Sequence, residues 1–355
     1  MGDVSDDSRH ESTALAAHTT LGLGGPAANL VTASSAEEII AGVRDAVREE
    51  RPLLLLGGGS NVVISDEGFP GTALLIRSSG IAVTYDDGDH VLVRVAAGHS
   101  WDDFVTETVA QGWSGVECLA GIPGATGSTP IQNVGAYGQE VSQTIVEVSA
   151  YDRDEGATTT FTPEECLFEY RHSRFKHSDR WVILDVTFRL RMDRLSAPIA
   201  YAELARALSG TIGDRVSLSE AREMVLGLRR SKGMVLDPSD PDTRSAGSFF
   251  TNPVLSFSGY QAMLQKTNGL EPPSWPMPGG VMKVSAAWLI EQAGFGKGYQ
   301  RGPVCISSKH TLALTNPGAG NTKDLLALAA EIRDGVHEKF GVTLNPEPVL
   351  VNCTL

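Results

Sequence analysis

The chain has 355 residues, 41% hydrophobic and 20% charged, a composition typical of a soluble globular protein of two or three domains. Its 43 acidic and 29 basic residues leave a net charge of −14, which argues against general binding to nucleic acid or to a membrane surface. The four cysteines are far apart and form no CxxC pair, so neither a zinc site nor a disulfide framework is indicated. The start, MGDVSDDSRHES, does not have the basic and apolar regions of a signal peptide, and no apolar run approaches the ~20 residues of a membrane span. We therefore expect a cytoplasmic protein.

The first predicted element is a helix in VTASSAEEIIAGVRDAV. Ser35 and Glu38 have the spacing of a capping box, and an apolar face follows at Ile39, Val43 and Val47.

The stretch LLLLGGGSNVVIS then predicts two short strands around three consecutive glycines. A hairpin turn needs one or two glycines, and a third only adds conformational entropy to the unfolded chain. Gly57, Gly58 and Gly59 expose a row of backbone N–H groups, and Ser60 and Asn61 add side-chain donors. Such a row suits an anion, above all a diphosphate, so a phosphate-binding loop is favoured over a plain surface turn.

Further along, AVTYDDGDHVLVRVAAG predicts a hairpin around Asp87 and Gly88. Ser100 is a candidate cap for a helix over WDDFVTETVAQ, which Gly112 would end. The next stretch, residues 115–140, has six glycines and neither a helical nor a strand period. A long irregular segment inside a compact domain is usually functional.

Two strands, TIVEVSAYDRD and RWVILDVTFRLRM, lie on either side of the basic run EYRHSRFK, and the pattern after them is more helical. After residue 192, helices are predicted in LSEAREMVLGLRRSK, VSAAWLIEQAG and NTKDLLALAAEIRDGVHEKFG. We place a boundary near residue 195, between a glycine-rich, strand-rich half and a smaller α+β domain.

Some candidate motifs have simple structural explanations. LGLGGPA (21–27) is superficially similar to a dinucleotide fingerprint, but no strand leads into it and Pro26 lies where the helix should open. A structural loop that packs against the first domain is preferred. The basic residues of EYRHSRFK and of LRRSK could likewise belong to a solvated turn and to a helix end.

Two residues of the C-terminal half are harder to explain in this way. Ser248 follows a glycine and precedes two phenylalanines, so we expect its hydroxyl at an apolar wall with little water. Glu347 lies between Pro346 and Pro348, which fix its backbone and the direction of its carboxylate.

In this order, GGGSN, GVECLAGIPGATGSTPIQNVGAYGQE, YRHSRFK, GSFFTNP and NPEP resemble the UDP-N-acetylenolpyruvoylglucosamine reductase family, from about residue 18 to 351. GGGSN alone is shared with the wider vanillyl-alcohol-oxidase-like FAD family. The resemblance implies an α+β protein with a two-subdomain FAD-binding fold of the vanillyl-alcohol-oxidase/PCMH type and a smaller α+β substrate-binding domain. The expected bounds are residues 1–80, 81–194 and 195–355.

The resemblance also implies the cofactor site. FAD would be bound non-covalently and reduced by NADPH. The residues that it implies for FAD are Gly57, Gly58, Gly59, Ser60 and Asn61 at the pyrophosphate, and Ile122, Pro123, Gly124, Gly127 and Ser128 along the isoalloxazine ring.

The implied reaction is the reduction of the enolpyruvyl group of UDP-N-acetylglucosamine enolpyruvate to UDP-N-acetylmuramate in bacterial peptidoglycan synthesis. Hydride would come from N5 of the reduced flavin and a proton from Ser248, while Arg171 and Glu347 would stabilise the enolate. The implied substrate-binding residues are Tyr201, Lys232, Asn252 and Tyr137, and Tyr201 falls where the long-chain members have a tyrosine that covers the substrate. The one departure in YRHS is His172, where an acidic residue is commoner. We further expect a monomer that binds no metal, nucleic acid or membrane.

Two alternatives remain at this point. A flavin oxidase of the same fold is disfavoured because residues 57–64 contain no His or Cys for covalent flavin attachment. A non-catalytic flavin-binding module would not need the Ser, Arg and Glu candidates of the second half.

Overall fold

The computed structural model describes residues 13–355, and the polar start of the chain, residues 1–12, lies outside them. The chain divides into two compact units. The central unit contains Ala28–Gly58 and Pro70–Val235. The terminal unit contains residues 13–27 together with Gly59–Phe69 and Leu236–Leu355.

The helices of the described residues are α1 Ala36–Arg48, α2 Trp101–Gln111, α3 Pro163–Cys166, α4 Ala202–Ala207, α5 Leu218–Ser231, α6 Phe257–Leu264, α7 Ala286–Gln292 and α8 Thr322–Phe340. Short 3₁₀ turns lie between some of them. None of these helices combines the length and the apolar character that a membrane crossing requires.

The strands are β1 Ala27–Ala33, β2 Leu53–Leu56, β3 Val62–Ile64, β4 Phe69–Ile76, β5 Ile81–Asp86, β6 His90–Ala96, β7 Trp113–Ser114, β8 Gly135–Ala136, β9 Gln139–Glu140, β10 Ile145–Asp152, β11 Ala157–Phe161, β12 Trp181–Met192, β13 Ser245–Ser248, β14 Val254–Ser256, β15 Ser274–Met277, β16 Val281–Val284, β17 Gln300–Arg301, β18 Val304–Ile306, β19 Ala313–Thr315 and β20 Val349–Val351. The strands that the sequence predicts, β2, β3, β5, β6, β10 and β12, are present. The sequence reasoning did not predict β1, β4, β11 or the short strands β7–β9 and β13–β20.

The central unit contains two sheets and a short hairpin. One sheet has the order β1-β4-β2, with β2 and β4 parallel. The other has the order β11-β10-β12-β6-β5, is antiparallel, and carries β7 on β12. Trp101 and Phe104 of α2 are fully buried, and their rings lie 5.8 and 5.0 Å from that of Phe188 in β12. The predicted hairpin around Asp87 and the helix from Ser100 to Gly112 are confirmed.

Helix α1 begins as predicted, with one difference at its cap. The Ser35 hydroxyl accepts a hydrogen bond from the Glu38 backbone N–H at 3.2 Å. The Glu38 carboxylate, however, accepts from the N–H of Ser34 and not from that of Ser35. Ile39 and Val43 are fully buried, whereas Val47 is 53% exposed. The prediction of Val47 as a core residue was wrong, because Ala46 is the residue that turns inward at this point of the helix.

The terminal unit is built around helix α8. Its sheets have the orders β13-β19-β18-β17 and β14-β16-β15, and β3 pairs in parallel with β20. The Asp66 carboxylate, just after β3, accepts hydrogen bonds from the N–H groups of Thr322 and Lys323 at 2.8 and 3.0 Å. It therefore satisfies two donors at the start of α8. Leu21 and Leu23 are buried in this unit's core, so LGLGGPA is a structural loop, but it packs here and not in the central unit.

The compact units divide after residue 235 and not near residue 195. Ile199, Leu204, Val225 and Leu226 are buried in the core of the central unit. Near residue 195 the secondary structure changes from mainly strand to mainly helix, but the residues on both sides belong to the same core. The assignment of two FAD-binding subdomains and a substrate domain stays a prediction.

The two apolar positions of α1 provide a matched stability test. Ile39→Ala should lower the free energy of unfolding by about 2–5 kcal/mol, because it leaves a cavity in the core. Val47→Ala should change it by less than about 0.5 kcal/mol, since that side chain already contacts water. Denaturant titration followed by circular dichroism measures both. Equal effects would contradict the burial of α1 described above.

Candidate active site

The glycine loop begins where β2 ends. The carbonyl of Gly57 accepts a hydrogen bond from Arg77 Nη1 at 2.9 Å, and that of Gly59 accepts from the N–H of Thr20 at 3.1 Å. Among residues 13–355, the backbone N–H groups of Gly57, Gly58 and Gly59 donate to no protein acceptor. An anion-binding loop requires backbone N–H groups that are available to the anion and carbonyl oxygens that point away from it. Here the carbonyls of Gly57 and Gly59 accept hydrogen bonds from the protein, and the three N–H groups remain available. The residues present therefore fit a diphosphate.

Two of the glycines are also required by close packing. A Cβ on Gly58 would lie 2.5 Å from the Cα of Gly124, and one on Gly59 would lie 1.9 Å from the carbonyl oxygen of His18. A Cβ on Gly57 would meet only side chains, the nearest being the Ser128 hydroxyl at 2.9 Å. The glycine loop and the segment Ile122–Ser128 are thus in contact at Gly58, Gly124 and Gly57. No sequence pattern indicates this contact.

The segment Ile122–Ser128 is fixed by backbone hydrogen bonds to the turn that follows β6. The N–H and the hydroxyl of Thr126 both donate to the carbonyl of His99, at 2.8 and 3.0 Å. The N–H of Gly127 donates to the carbonyl of Ala97 at 2.8 Å, and a Cβ on Gly127 would lie 2.5 Å from that of Ala97. The small residues of this segment therefore allow close approach to a protein neighbour.

Arg171 lies in a well-built turn. Its backbone has the left-handed φ of 55°, and its Nη2 donates to the carbonyl of Gly135 at 2.9 Å. Its own carbonyl accepts from Lys176 Nζ at 2.9 Å. Ser173 is fully buried and its hydroxyl donates to the carbonyl of Ile131 at 2.7 Å. The alternative of a merely solvated turn is thus disfavoured for this part of YRHS.

Arg174, a further basic residue of the run, has a structural role. The Arg174 guanidinium lies over the rings of Phe161 and Trp181, at 4.6 and 5.6 Å from their centroids, and donates to the carbonyl of Glu165. His172 is exposed.

Three of the four predicted substrate-binding residues form one cluster in the central unit. The rings of Tyr137 and Tyr201 meet edge to face with their centroids 5.5 Å apart, and Lys232 Nζ lies 5.6 Å from the centroid of Tyr137. Lys232 also donates to Glu203 at 2.6 Å. Burial lowers the pKa of Lys232, but the bond to Glu203 and nearby tyrosines outweigh it, so the pKa is raised and the ammonium stays charged. Burial raises the pKa of the Tyr137 hydroxyl, which stays protonated.

Sequence reasoning gave Arg229 only a helix-end role. It is a half-buried cation with a buried Nε that interacts electrostatically with Tyr137, and it donates to the carbonyls of Gly121 and Met234 at 3.3 and 2.8 Å. Burial lowers its pKa to about 10. No sequence pattern distinguished it from Arg230, which is exposed.

Ser248 and Glu347 are brought together within the terminal unit. Ser248 is the half-buried last residue of β13. The N–H of Glu347 donates to the carbonyl of Phe249, the next residue after Ser248, at 2.8 Å. Phe249 and Phe250 are each 1% exposed, so the two residues that follow the serine lie in the core.

Asn252, also in the terminal unit, has a partly structural role. Its side-chain oxygen accepts from the N–H of Ala286 in the first turn of α7, at 2.9 Å. Any contact of this side chain with an anion would therefore use its NH₂ group. The predicted set divides between the units: Arg171, Tyr137, Tyr201 and Lys232 are central, and Ser248, Glu347 and Asn252 are terminal.

Neither a metal site nor an activated cysteine is found among the described residues. In the described part of the chain, no group of three or more His, Cys, Asp or Glu side chains is placed to hold a metal ion. Burial raises the pKa of the Cys118 thiol, and that of Cys166 to about 12, so both stay protonated.

Comparison with known proteins agrees with the fold and with a cofactor-binding role for the central unit. Residues 27–162 match the family model described as FAD binding domain, which places the chain among the FAD-containing flavoproteins. Residues 238–351 match the family model described as UDP-N-acetylenolpyruvoylglucosamine reductase, C-terminal domain. The chain belongs to the UDP-N-acetylenolpyruvoylglucosamine reductase family.

Relatives with that name match almost end to end. The chain is 58% identical over 345 residues to the reductase of Salinispora arenicola, covering 96% of this chain and 95% of the relative. It is 57% identical over 346 residues to that of Thermobifida fusca, covering 96% and 97%. The crystal structure of the reductase from Thermus caldophilus matches with a TM-score of 0.61 and 26% identity, covering 95% of this chain and 97% of that one.

These findings confirm the predicted fold class and cofactor, an α+β flavoprotein that uses FAD and NADPH. The chain is an oxidoreductase of peptidoglycan synthesis, and its substrates are a sugar nucleotide and NADPH.

The packing of the loop predicts unequal effects of two neighbouring substitutions. Gly58→Ala should weaken FAD binding at least about tenfold, because its Cβ has to displace the backbone at Gly124. Gly57→Ala is the matched control and should weaken it less than about threefold, since only side chains have to move. Equilibrium dialysis of FAD against both variants measures the difference. A control that loses FAD as strongly as Gly58→Ala would contradict this account.

Proposed function

We propose that Ser248, Arg171 and Glu347 perform the reduction of the enolpyruvyl group. The observation that supports this best is the hydrogen bond from Glu347 N–H to the carbonyl of Phe249, which places a carboxyl group and a hydroxyl on directly linked backbone segments. When bound, FAD supplies the hydride from N5 after NADPH has reduced it.

Each residue type suits its proposed role. Addition of hydride to the methylene carbon leaves negative charge on the adjacent carbon, and this charge spreads into the substrate carboxylate. The guanidinium of Arg171 stabilises that charge, and Glu347, when protonated, donates a hydrogen bond to it. Ser248 gives its proton to the carbon. A hydroxyl is a weak acid in water, but an enolate carbon is basic enough to take its proton at a dry site, and two buried phenylalanines follow Ser248.

The remaining residues bind the ligands. Gly57, Gly58, Gly59, Ser60 and Asn61 hold the FAD pyrophosphate through N–H and side-chain donors, and Ile122, Pro123, Gly124, Gly127 and Ser128 line the flavin ring. Tyr201 covers the substrate, Tyr137 contacts it, and Lys232 and Asn252 bind its diphosphate. The support for the central-unit residues is that Tyr137, Tyr201 and Lys232 form one cluster.

We also propose that the enzyme is a cytoplasmic monomer that binds no nucleic acid. NADPH and nucleotide sugars are cytoplasmic metabolites, and a net charge of −14 disfavours polyanions. Size-exclusion chromatography with light scattering would test the monomer.

Ser248 should separate the two half-reactions. Ser248→Ala should keep rapid bleaching of the flavin by NADPH, which needs no serine proton. Reoxidation by the enolpyruvyl substrate should fall by more than the ~10²–10³-fold typical of one lost oxyanion hydrogen bond, because a reacting proton is missing. Stopped-flow measurement of flavin absorbance resolves both steps.

Ser248→Cys is the companion variant and should recover part of the second rate, because a thiol can also give up a proton from that place. Equal slowing of both half-reactions in Ser248→Ala would mean that Ser248 shapes the site and that the proton comes from elsewhere, with Glu347 the next candidate.

Lys232 should affect binding more than chemistry. Lys232→Ala should raise KM for the sugar nucleotide about tenfold and lower kcat much less, since a diphosphate contact stabilises ground state and transition state alike. Arg230→Ala, which removes an exposed cation from the same helix, is the control and should leave KM unchanged. An unchanged KM in Lys232→Ala would return Lys232 to a helix-end role.

A further inference from the structure

The central unit contains a fully buried acidic residue that the reaction does not use. Glu117 is 0% exposed, and its carboxylate accepts three hydrogen bonds, all from neutral N–H donors. The donors are the backbone N–H of Gly115 at 2.7 Å, Nε2 of Gln139 at 3.0 Å and the backbone N–H of Ala197 at 2.7 Å. The side-chain oxygen of Gln139 accepts in turn from the N–H of Cys118 at 2.8 Å. We call Glu117, Gln139 and these donors the Glu117 network.

Burying a carboxylate is costly unless its oxygens are hydrogen-bonded, and here both oxygens accept hydrogen bonds from the segments that they join. One donor lies in the hairpin formed by β8 and β9, and another precedes Tyr201 by four residues. The network therefore links the hairpin to the segment that leads into Tyr201.

The hairpin presents two groups of the proposed site. Its tip is Tyr137 and Gly138, with left-handed φ values of 49° and 86°. Its first residue, Gly135, accepts the hydrogen bond from Arg171. A non-glycine residue in this conformation persists only where its surroundings fix it, and the ladder of this hairpin has only two residue pairs, so it cannot do so alone.

The second linked segment lies against the same tip. A Cβ on Gly138 would lie 2.8 Å from that of Ala200, so the hairpin tip is in contact with the residue before Tyr201. The edge-to-face contact of Tyr137 and Tyr201 follows from that packing.

We propose that Glu117 is a positioning residue for substrate binding: through Gln139 and Ala197 it holds the Tyr137 hairpin and the Tyr201 segment in the geometry that receives the sugar nucleotide. This inference rests on the proposed substrate-binding roles of Tyr137 and Tyr201. Glu117 itself touches no substrate.

The test uses Gln139→Leu and Glu117→Gln in the full-length holoenzyme. Gln139→Leu removes the donor that joins the hairpin to Glu117 and the acceptor of the Cys118 N–H, and leaves the other two bonds to Glu117 in place. Glu117→Gln is the milder variant, in which the side-chain NH₂ has to face at least one N–H donor. In Gln139→Leu, KM for the enolpyruvyl sugar nucleotide should rise about tenfold, the size of one buried hydrogen bond, with a smaller rise in Glu117→Gln. Flavin reduction by NADPH should stay within about twofold in both, because neither variant alters a proposed catalytic group.

Asp152→Asn is the control for loss of a buried carboxylate in the same unit. Asp152 is 5% exposed and accepts from Arg180 and from the N–H groups of Asp154 and Glu155. This control should lower the melting temperature and leave KM unchanged.

Two results would overturn the proposal. One is a lowered melting temperature with unchanged KM in both network variants, as in the control, which would make the network purely structural. The other is equal slowing of both half-reactions, which would mean that Glu117 acts through the flavin-lining segment. If Gln139→Leu does not fold, the KM of Glu117→Gln tests the proposal alone: a raised KM supports it and an unchanged KM overturns it. Lys232→Ala, measured in parallel, tests the proposed substrate site independently of the network.

Discussion

The contact between the backbones of Gly58 and Gly124 is the constraint on which the cofactor region depends. Two glycine-rich segments, more than sixty positions apart in the chain, approach so closely at this point that a single methyl group would separate them. One segment follows the parallel strand β2, and within the described residues its three glycine N–H groups donate to no protein acceptor. The other segment is fixed by hydrogen bonds to the turn after β6. The glycines thus have two roles at once, in the protein's own packing and as bare donors for an anion.

The irregular segment from residue 115 to 140 has no helical or strand period in its sequence, and yet its backbone has a defined conformation. It has little ladder or helix to pair its backbone, and some of its backbone N–H groups are paired by side chains from within the segment. Glu117 and Gln139 bind backbone N–H groups at one end, and the Asn133 amide donates to Glu140 and to the carbonyl of Glu169. Each of these polar residues is at least partly buried, where an unpaired donor would be costly.

Much of this architecture follows from local sequence. The caps at Ser35 and Ser100 and the hairpin at Asp87 and Gly88 are determined by a few adjacent residues, and the sequence predicts them correctly. What the sequence cannot provide is contact between distant segments. The parallel pairing of β3 with β20 and the approach of Gly58 to Gly124 leave no periodic signal in either partner.

The candidate site shows the same limit. Ser248 stood out because two phenylalanines follow it, and Glu347 because the prolines on either side restrict its backbone. The motifs that contain them also resemble a known family. Glu117 and Arg229 did not stand out, since a buried charged residue has no local pattern that separates it from an exposed one. Val47 was misplaced for the opposite reason, because it is apolar and correctly spaced on its helix but lies beyond the edge of the buried face.

The pairing of β3 with β20 has a consequence for the nascent chain. Val62 is synthesised early, but its partner Val349 leaves the ribosome on the order of half a minute later, at about 5–20 residues per second. During that time the edge of β3 has no native partner from β20, and Gly59–Phe69 cannot join its final core. The central unit can condense first, with one side of the cofactor loop in place. The terminal unit matures only after translation of its last strand, so flavin capture should be a late, largely post-translational event.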